Sequence, residues 1–389
     1  MIKITDKQDC CGCSACAQRC PKKCISMIED EEGFLYPQVD TSKCVDCHLC
    51  EKVCPVINQY DTRTPLKVYA AKNSDDEVRR LSSSGGIFTL LAEQTIKDGG
   101  VVFGACWDNE WNVKHDCVDN LSDLQRFRSS KYLQSVIGDA YLKTEQFLKT
   151  GRKVMFTGTP CQIAGLKHFL RKEYDNLLAV EIICHSVPSP GVWQQFLTTR
   201  LHTLKWNKSD IRNISFRDKK TGWKTYSFVI ENKDGNSFIE LSSKNAFMRG
   251  FLADLYTRPS CPAKQLKSGS DITLGDFWGI ESLMPEIDDD KGVSAIIVNS
   301  DKGKQVLHNI NVELHEVQYN ELTTRNPALV KYFPITPKRT EFFKEDGYTF
   351  EEKVKILAKK PFSMKTLAYR IVRKVIPNAI VKILRRLLR

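Results

Sequence analysis

The sequence predicts a mixed fold: a small α+β unit at the N-terminus, an α/β body, and basic amphipathic helices at the C-terminus. Three observations carry this. A cysteine pattern occurs twice within the first 55 residues. An apolar strand, a turn, a helix and a second apolar strand follow one another over 153–184, the βαβ order that calls for a parallel sheet. Residues 353–389 hold twelve Lys or Arg and no Asp or Glu.

The cysteines come first. Cys10, Cys13, Cys16 and Cys20 follow C-x2-C-x2-C-x3-C-P, and Cys44, Cys47, Cys50 and Cys54 repeat it 34 positions later. Thiolates at that spacing wrap one corner of a 4Fe-4S cube, and the fourth, before proline, reaches the other cube. The rule assigns Cys10, Cys13, Cys16 and Cys54 to cluster I and Cys44, Cys47, Cys50 and Cys20 to cluster II. Zinc sites instead pair C-x2-C units across a longer spacer, without the further cysteine and proline. Two complete copies make 1–60 a bacterial-type two-cluster ferredoxin domain. Between the copies, the sequence alternates and turns at Glu32-Gly33, which predicts two short strands. Cys11 and Cys24 read as structural or incidental because each cube already has four ligands, and His48 reads as an exposed residue.

With 389 residues, 41% of them hydrophobic, the chain has room for two or three domains. Cysteines left open for clusters imply a reducing compartment, so a cytoplasmic protein is expected. The first residues lack the apolar core of a signal peptide, and no 18-residue apolar run predicts a spanning helix. The net charge of +11 misleads as an average: without the tail's twelve cations, 46 basic residues face 47 acidic ones. That balance excludes a nucleic-acid-binding surface spread over the fold.

Beyond a linker near 60–66, the body divides into expected regions 66–150 and 151–340, with a helical tail over 350–389. VYAAKN reads as a strand. Ser83 or Ser84 would cap a helix through Ile87, Leu90 and Leu91 that ends at Gly99-Gly100. Small residues before a helix start let backbone N–H groups approach an anion, although simple capping is the commoner reason for them. Residues 121–150 read as mostly helical, with Lys131 either on the surface or beside a cofactor. The βαβ turn, G-T-P-C-Q at 158–162, sits where α/β sheets hold cofactors. Neither the dinucleotide nor the P-loop glycine signature is present. Cys184 and His185 leave the sheet on the same edge as Cys161. A hairpin turns at Asp234-Gly235, and Asp276, Phe277 and Trp278 end a strand, either packing there or facing a ring. In the tail, apolar residues line one side and cations the other, a pattern for peripheral contact with an anionic membrane surface or for docking on a partner.

These stretches together resemble the coenzyme F420 hydrogenase/dehydrogenase beta-subunit family, in the form with an N-terminal two-cluster ferredoxin domain. The resemblance rests on the double cysteine motif, S-S-S-G-G-I-F (82–88), S-K-Y-L-Q-S (130–135), G-T-P-C-Q-I-A-G-L-K (158–167), C-H-S-V-P-S-P (184–190), R-P-S-C (258–261) and S-D-I-T-L-G-D-F-W-G-I (270–280). It implies a FAD-binding body, hence a flavoprotein oxidoreductase passing electrons between a hydride carrier and 4Fe-4S clusters. It implies coenzyme F420, ferredoxin or a nicotinamide as donor or acceptor, and for bacterial members a setting in polysaccharide biosynthesis. Ser83, Ser84, Gly85 and Gly86 would meet the flavin phosphates, and Gly158, Thr159, Pro160, Cys161 and Gln162 would wall the isoalloxazine. Lys131 and Cys161 would be the catalytic pair. Two departures stand out. Family members place C-x2-C after R-P, but the second position here is Lys264, so a third 4Fe-4S cluster would have only Cys161, Cys184 and Cys261. C-H-G-V is C-H-S-V here, with Ser186. The alternative is a ferredoxin-like electron-transfer subunit that serves a partner enzyme and has no substrate of its own.

Overall fold

The computed structural model describes residues 1–332, 335–344 and 346–359. The strands, in chain order, are β1 (Ile25–Glu29), β2 (Leu35–Val39), β3 (Lys67–Ala71), β4 (Val101–Trp107), β5 (Val113–Val118), β6 (Val154–Gly158), β7 (Leu177–Ile182), β8 (Ile211–Asp218), β9 (Ser227–Asn232), β10 (Ser237–Leu241), β11 (Ile272–Asp276), β12 (Ser294–Val298) and β13 (Leu314–Glu316).

β1 and β2 form the hairpin expected between the cysteine repeats, Ile25 opposite Val39. Each repeat also carries one short helix, Ala15–Arg19 and Leu49–Lys52. The body is built on an eight-stranded mixed sheet in the order β13-β3-β12-β11-β7-β6-β4-β5. At its centre β4, β6, β7 and β11 run parallel. The helix Pro160–Leu170 makes the crossover from β6 to β7, as the apolar pattern predicts. Strands from 66–150 and 151–340 interleave in this one sheet, because β4 pairs with β6 across position 150. A second, three-stranded sheet, β10-β9-β8, packs its apolar face on the helix Pro190–Leu204 through Trp193, Phe196, Phe216 and Phe228.

Two expectations change, and one strand is added. Residues 121–150 are not mostly helical: a 3-10 turn at Leu124–Phe127 is followed by an irregular stretch, and the α-helix begins only at Ala140. That irregular backbone carries Lys131 to the central cleft. The segment after Trp107 returns as an edge strand, β5, whose alternation VKHDCV is broken by polar residues. The helix Ile87–Lys97 is capped by Gly86 at φ +83°, with no serine side-chain cap. Only glycine adopts that φ without strain.

Of the tail, the helix Phe350–Leu357 packs Phe350 and Val354 into the core of the three-stranded sheet. The remaining basic amphipathic pattern, 360–389, lies outside the described residues. Among those described, no helix is long and apolar enough to cross a membrane.

Candidate functional site

The two thiolate sets occupy different surroundings. Cys10, Cys13, Cys16 and Cys54 are buried, each 7–8% exposed. Burial pushes the Cys16 thiol up to about 12, and Cys10 and Cys54 beside it add to the shift. Thiols crowded in this way suit a positively charged core shared among them. The Gly12 N–H points at Cys10 Sγ (3.4 Å), a bond that favours the thiolate. Cys20, Cys44, Cys47 and Cys50 line a single cavity near the surface, with Cys47 exposed. The N–H groups of Ile2 and Asp46 point at Cys50 Sγ (3.2 Å) and Cys44 Sγ (3.4 Å). Cys24 lines the same cavity, its Sγ 3.4 Å from that of Cys20. Among the described residues no three His, Cys, Asp or Glu side chains converge on a point for one metal ion. Thiolates around a cube stand farther apart than thiolates on a single zinc.

The body holds a cleft of about 580 Å³ at the carboxyl ends of β6, β7 and β11, within the size range of cofactor sites, roughly 300–1,000 Å³. Of the residues expected there, Ser83, Ser84, Gly86, Lys131, Gly158, Thr159 and Gln162 line it. Gly85 lies beneath the lining, where a side chain would collide with the Ala71 carbonyl and the Ser294 amide (2.6 and 2.7 Å from the added carbon). The Ser84 hydroxyl donates to the carbonyls of Val293 (2.9 Å) and Gly275 (3.1 Å), and the Ser83 hydroxyl accepts from the Ser130 N–H (2.6 Å). These hydroxyls therefore brace the loop, and the open N-terminus of the helix Ile87–Lys97 is what it offers an anion. Lys131 Nζ donates to the carbonyls of Arg128 (3.0 Å) and Ser129 (3.3 Å), and burial lowers its pKa to about 8.

Thr159 caps the helix Pro160–Leu170, and Gln162 closes the capping box: its Oε1 accepts from the Thr159 N–H at 3.0 Å. Gln162 Nε2 then donates to Ser135 Oγ (2.8 Å), which meets His115 Nδ1 (2.9 Å), while His115 Nε2 meets the Thr157 carbonyl (2.9 Å). A carbonyl only accepts, so Nε2 carries the proton and Ser135 donates to Nδ1. Burial holds the His115 pKa down at about 4. The wall is thus a fixed, neutral hydrogen-bond chain.

Pro160 and Cys161, expected in the isoalloxazine wall, do not line the cleft. They begin a helix turned toward the ferredoxin unit. Cys161 Sγ stands 3.2 Å from Thr159 Oγ1 on one side and interacts with the buried Cys11 thiol on the other. Cys11 in turn interacts with Cys13. Cys161, Cys184 and Cys261 do gather within electrostatic range of one another. The place of a fourth thiolate is held by Lys264, whose ammonium donates to the carbonyls of Cys184, His185 (3.1 Å) and Ala328 (2.8 Å). This cation ties the strand end to the closing loop.

Three residues gain roles that the sequence did not reveal. Arg258 docks the ferredoxin unit, donating to the carbonyls of Cys10 (2.9 Å) and Leu35 (3.1 Å) and to Gln134 Oε1 (2.8 Å), with Tyr36 stacked on its guanidinium at 4.3 Å. Gln134 Nε2 donates to the Cys11 carbonyl (2.9 Å). Arg217, in the cleft, pairs with Asp276 (2.8 Å), which also accepts from Trp223 Nε1 (2.9 Å). Asp276 is therefore a partner of Arg217, and Trp278 stacks on Trp223 at 5.0 Å. Arg258 and Gln134 fall inside family-like motifs, but nothing in those motifs names acceptors on a distant chain segment.

Residues 151–323 match the family model for the C-terminal part of the coenzyme F420 hydrogenase/dehydrogenase beta subunit, and residues 9–58 match the 4Fe-4S dicluster domain. Three proteins of Methanocaldococcus jannaschii are similar. An uncharacterized protein is 26% identical over 45% of this chain and 56% of its own length. An uncharacterized polyferredoxin-like protein is 34% identical over 16% and 43%. An uncharacterized ferredoxin is 36% identical over 19% and 87%. The chain thus spans about half the length of the first two. Among solved structures, a chain of the F420-reducing NiFe hydrogenase complex from Methanosarcina barkeri is 16% identical, with a TM-score of 0.44 over 68% of this chain and 91% of that one.

Proposed function

We propose that this chain, which joins a domain of the coenzyme F420 hydrogenase/dehydrogenase beta-subunit family to a 4Fe-4S dicluster domain, is a FAD-dependent iron–sulfur oxidoreductase. It is an iron–sulfur electron-transfer protein by its domains; the cleft would make it an enzyme with a small-molecule donor. One observation carries the reading: the cleft and cluster I share a wall. Thr159 faces the cleft, Cys161 touches Thr159 at 3.2 Å, and Cys11 connects Cys161 to the cluster I loop.

The residues present fit a flavin dinucleotide. The open helix N-terminus at Gly86 and the Lys131 ammonium supply positive potential for its phosphates. The chain through Gln162, Ser135 and His115 supplies a hydrogen-bonded wall that exchanges no protons near neutral pH. A flavin takes up two electrons as hydride and releases them singly, the exchange needed between a hydride donor and clusters. Arg258 and Gln134 hold the cluster I loop against the wall so that the separation stays fixed. The eight cysteines of the double motif would hold the two cubes, and the three-thiolate group at Lys264 lacks a fourth thiolate. Coenzyme F420 and a nicotinamide are the donors to test at the cleft, and ferredoxin is the one-electron partner to test at the clusters.

The test is anaerobic purification, cofactor identification and reduction with each donor in turn. FAD that bleaches with one donor, followed by cluster reduction, supports the reading. Clusters that reduce while no small molecule turns over would instead identify a subunit that relays electrons for a partner enzyme.

A further inference from the structure

Cluster II opens toward solvent at one patch. Cys47 is exposed, Cys44 and Cys20 are half-buried, and Val45 between the first two is 57% exposed. Asp46 and His48 flank Cys47 with φ of +49° and +58°, a backbone that ordinary residues adopt rarely. Contacts with the chain start hold this loop. The terminal ammonium meets Asp46 Oδ1 at 2.9 Å and Glu51 Oε1 at 3.0 Å, and His48 Nδ1 meets Glu51 Oε2 at 2.8 Å. The acidic groups at the opening are thereby matched by neighbours, and Asp40 is matched by Lys43 at 2.7 Å. Lys22 and Lys23 are different. They sit exposed on the turn between Cys20 and Cys24, Lys22 lines the cluster II cavity, and neither makes an ion pair among the described residues. Lys3 and Lys52 are exposed beside the same loop and also lack ion pairs among the described residues.

We infer that this patch, with Val45 and Cys47 at its centre and Lys22 and Lys23 on its rim, docks an acidic one-electron carrier protein. The inference rests on the reading that electrons leave through the clusters. An apolar centre inside a charged rim is the anatomy of a transient interface, and unmatched cations steer and orient a partner of opposite sign. Cluster I has no such outlet, since all four of its ligands are buried. Cys20, Cys44, Cys47 and Cys50 would hold the cluster that supplies the electron; one electron would pass to the carrier's redox centre, with no bond made or broken and no proton moved.

The experiment uses the anaerobic holoprotein and an acidic two-cluster ferredoxin, with a basic c-type cytochrome for contrast. Affinity is measured at low and high salt, and one-electron exchange is followed by absorbance. The ferredoxin should bind at low salt and lose about tenfold in affinity at high salt. Lys22→Glu combined with Lys23→Glu should weaken binding about tenfold by the same electrostatic term, while Lys97→Glu on another face leaves it unchanged. Iron content and dithionite reduction of each variant show that its clusters are intact. Absent binding at low salt, equal binding of the basic cytochrome, or indifference to the double charge reversal would overturn the inference. Flavin content separates this from the functional reading. Flavin-free protein that still docks ferredoxin through Lys22 and Lys23 sinks only the oxidoreductase; flavin-loaded protein that reduces its own clusters but ignores the reversal sinks only the docking patch.

Discussion

The two ligand sets, each three cysteines of one repeat and the last of the other, differ in surroundings: all four of the first are buried, but only Cys50 of the second is. Cys10, Cys13, Cys16 and Cys54 are all buried; Cys13 packs with Ile163 and Tyr141 of the body, and Arg258 and Gln134 donate to the carbonyls of Cys10 and Cys11. Cys20, Cys44, Cys47 and Cys50 line a cavity at the surface, beside exposed lysines. Identical ligand spacing therefore says what each half binds, while the neighbours decide what each half is for. The buried half lies behind the cleft wall, next to Cys11 and Cys161, and on the proposed reading the open half would meet a one-electron carrier.

The sharpest way to break this contrast is to delete one ligand from each half. Cys13→Ala should prevent assembly of the N-terminal unit and uncouple the cleft, because metal binding and folding are linked. Cys47→Ala should leave about four of eight irons and an unchanged melting transition for the body. Iron counting and thermal melting check both; equal losses would mean that the two halves do not differ.

Removing the dock comes next. Arg258→Ala strips donors from the buried Cys10 carbonyl, the half-buried Leu35 carbonyl and Gln134, at a cost of about 3 kcal/mol. Denaturant unfolding should show it, along with faster proteolysis within 1–60. Arg258→Lys should recover little, since an ammonium cannot reproduce the guanidinium fork.

The buried side should also respond to acid. His115 titrates at about 4 in the folded protein against 6.5 when free, so the unfolded chain binds the extra proton between these values. Its contribution is fully present above pH 6.5 and is lost as pH falls toward 4, up to about 3 kcal/mol. His115→Gln should flatten melting temperature against pH over that window.

The smallest effect concerns Lys131. Its folded pKa of about 8 lies below the ordinary 10.5, so stability rises with pH between those values as the cost of burying its charge is relieved. Over the same range the cleft loses a cation. FAD affinity of the apoprotein should therefore fall a few-fold above pH 8, and Lys131→Met should bind more weakly with a flat pH profile. An unchanged affinity would remove Lys131 from the phosphate end.

What the sequence made legible follows from separation along the chain. Most cluster ligands stand two or three residues apart, so their spacing is visible, as is the β6–helix–β7 unit with its apolar strands. The dock is not: Arg258 lies 248 positions from Cys10. The path of 128–139 is hidden in the sequence because its structure comes from tertiary bonds, such as Ser130 N–H to Ser83 and Leu133's burial under the three-stranded sheet. Cys161 reads as a cleft residue by position, yet the capping box turns Thr159 and Gln162 inward and leaves Cys161 facing Cys11. Lys264 reads as a missing ligand, and only the fold shows three carbonyls waiting for its ammonium.

The central claim is that the cleft and the buried cluster form one electron path. The measurement is a stopped-flow reduction of anaerobically purified holoprotein by its donor, recording flavin and iron–sulfur absorbance together. The account predicts one FAD and about eight irons per chain, with flavin bleaching first, cluster bleaching following, and the second phase surviving in Cys47→Ala. Four irons or none, or clusters that bleach at the same rate with the flavin removed, would contradict it.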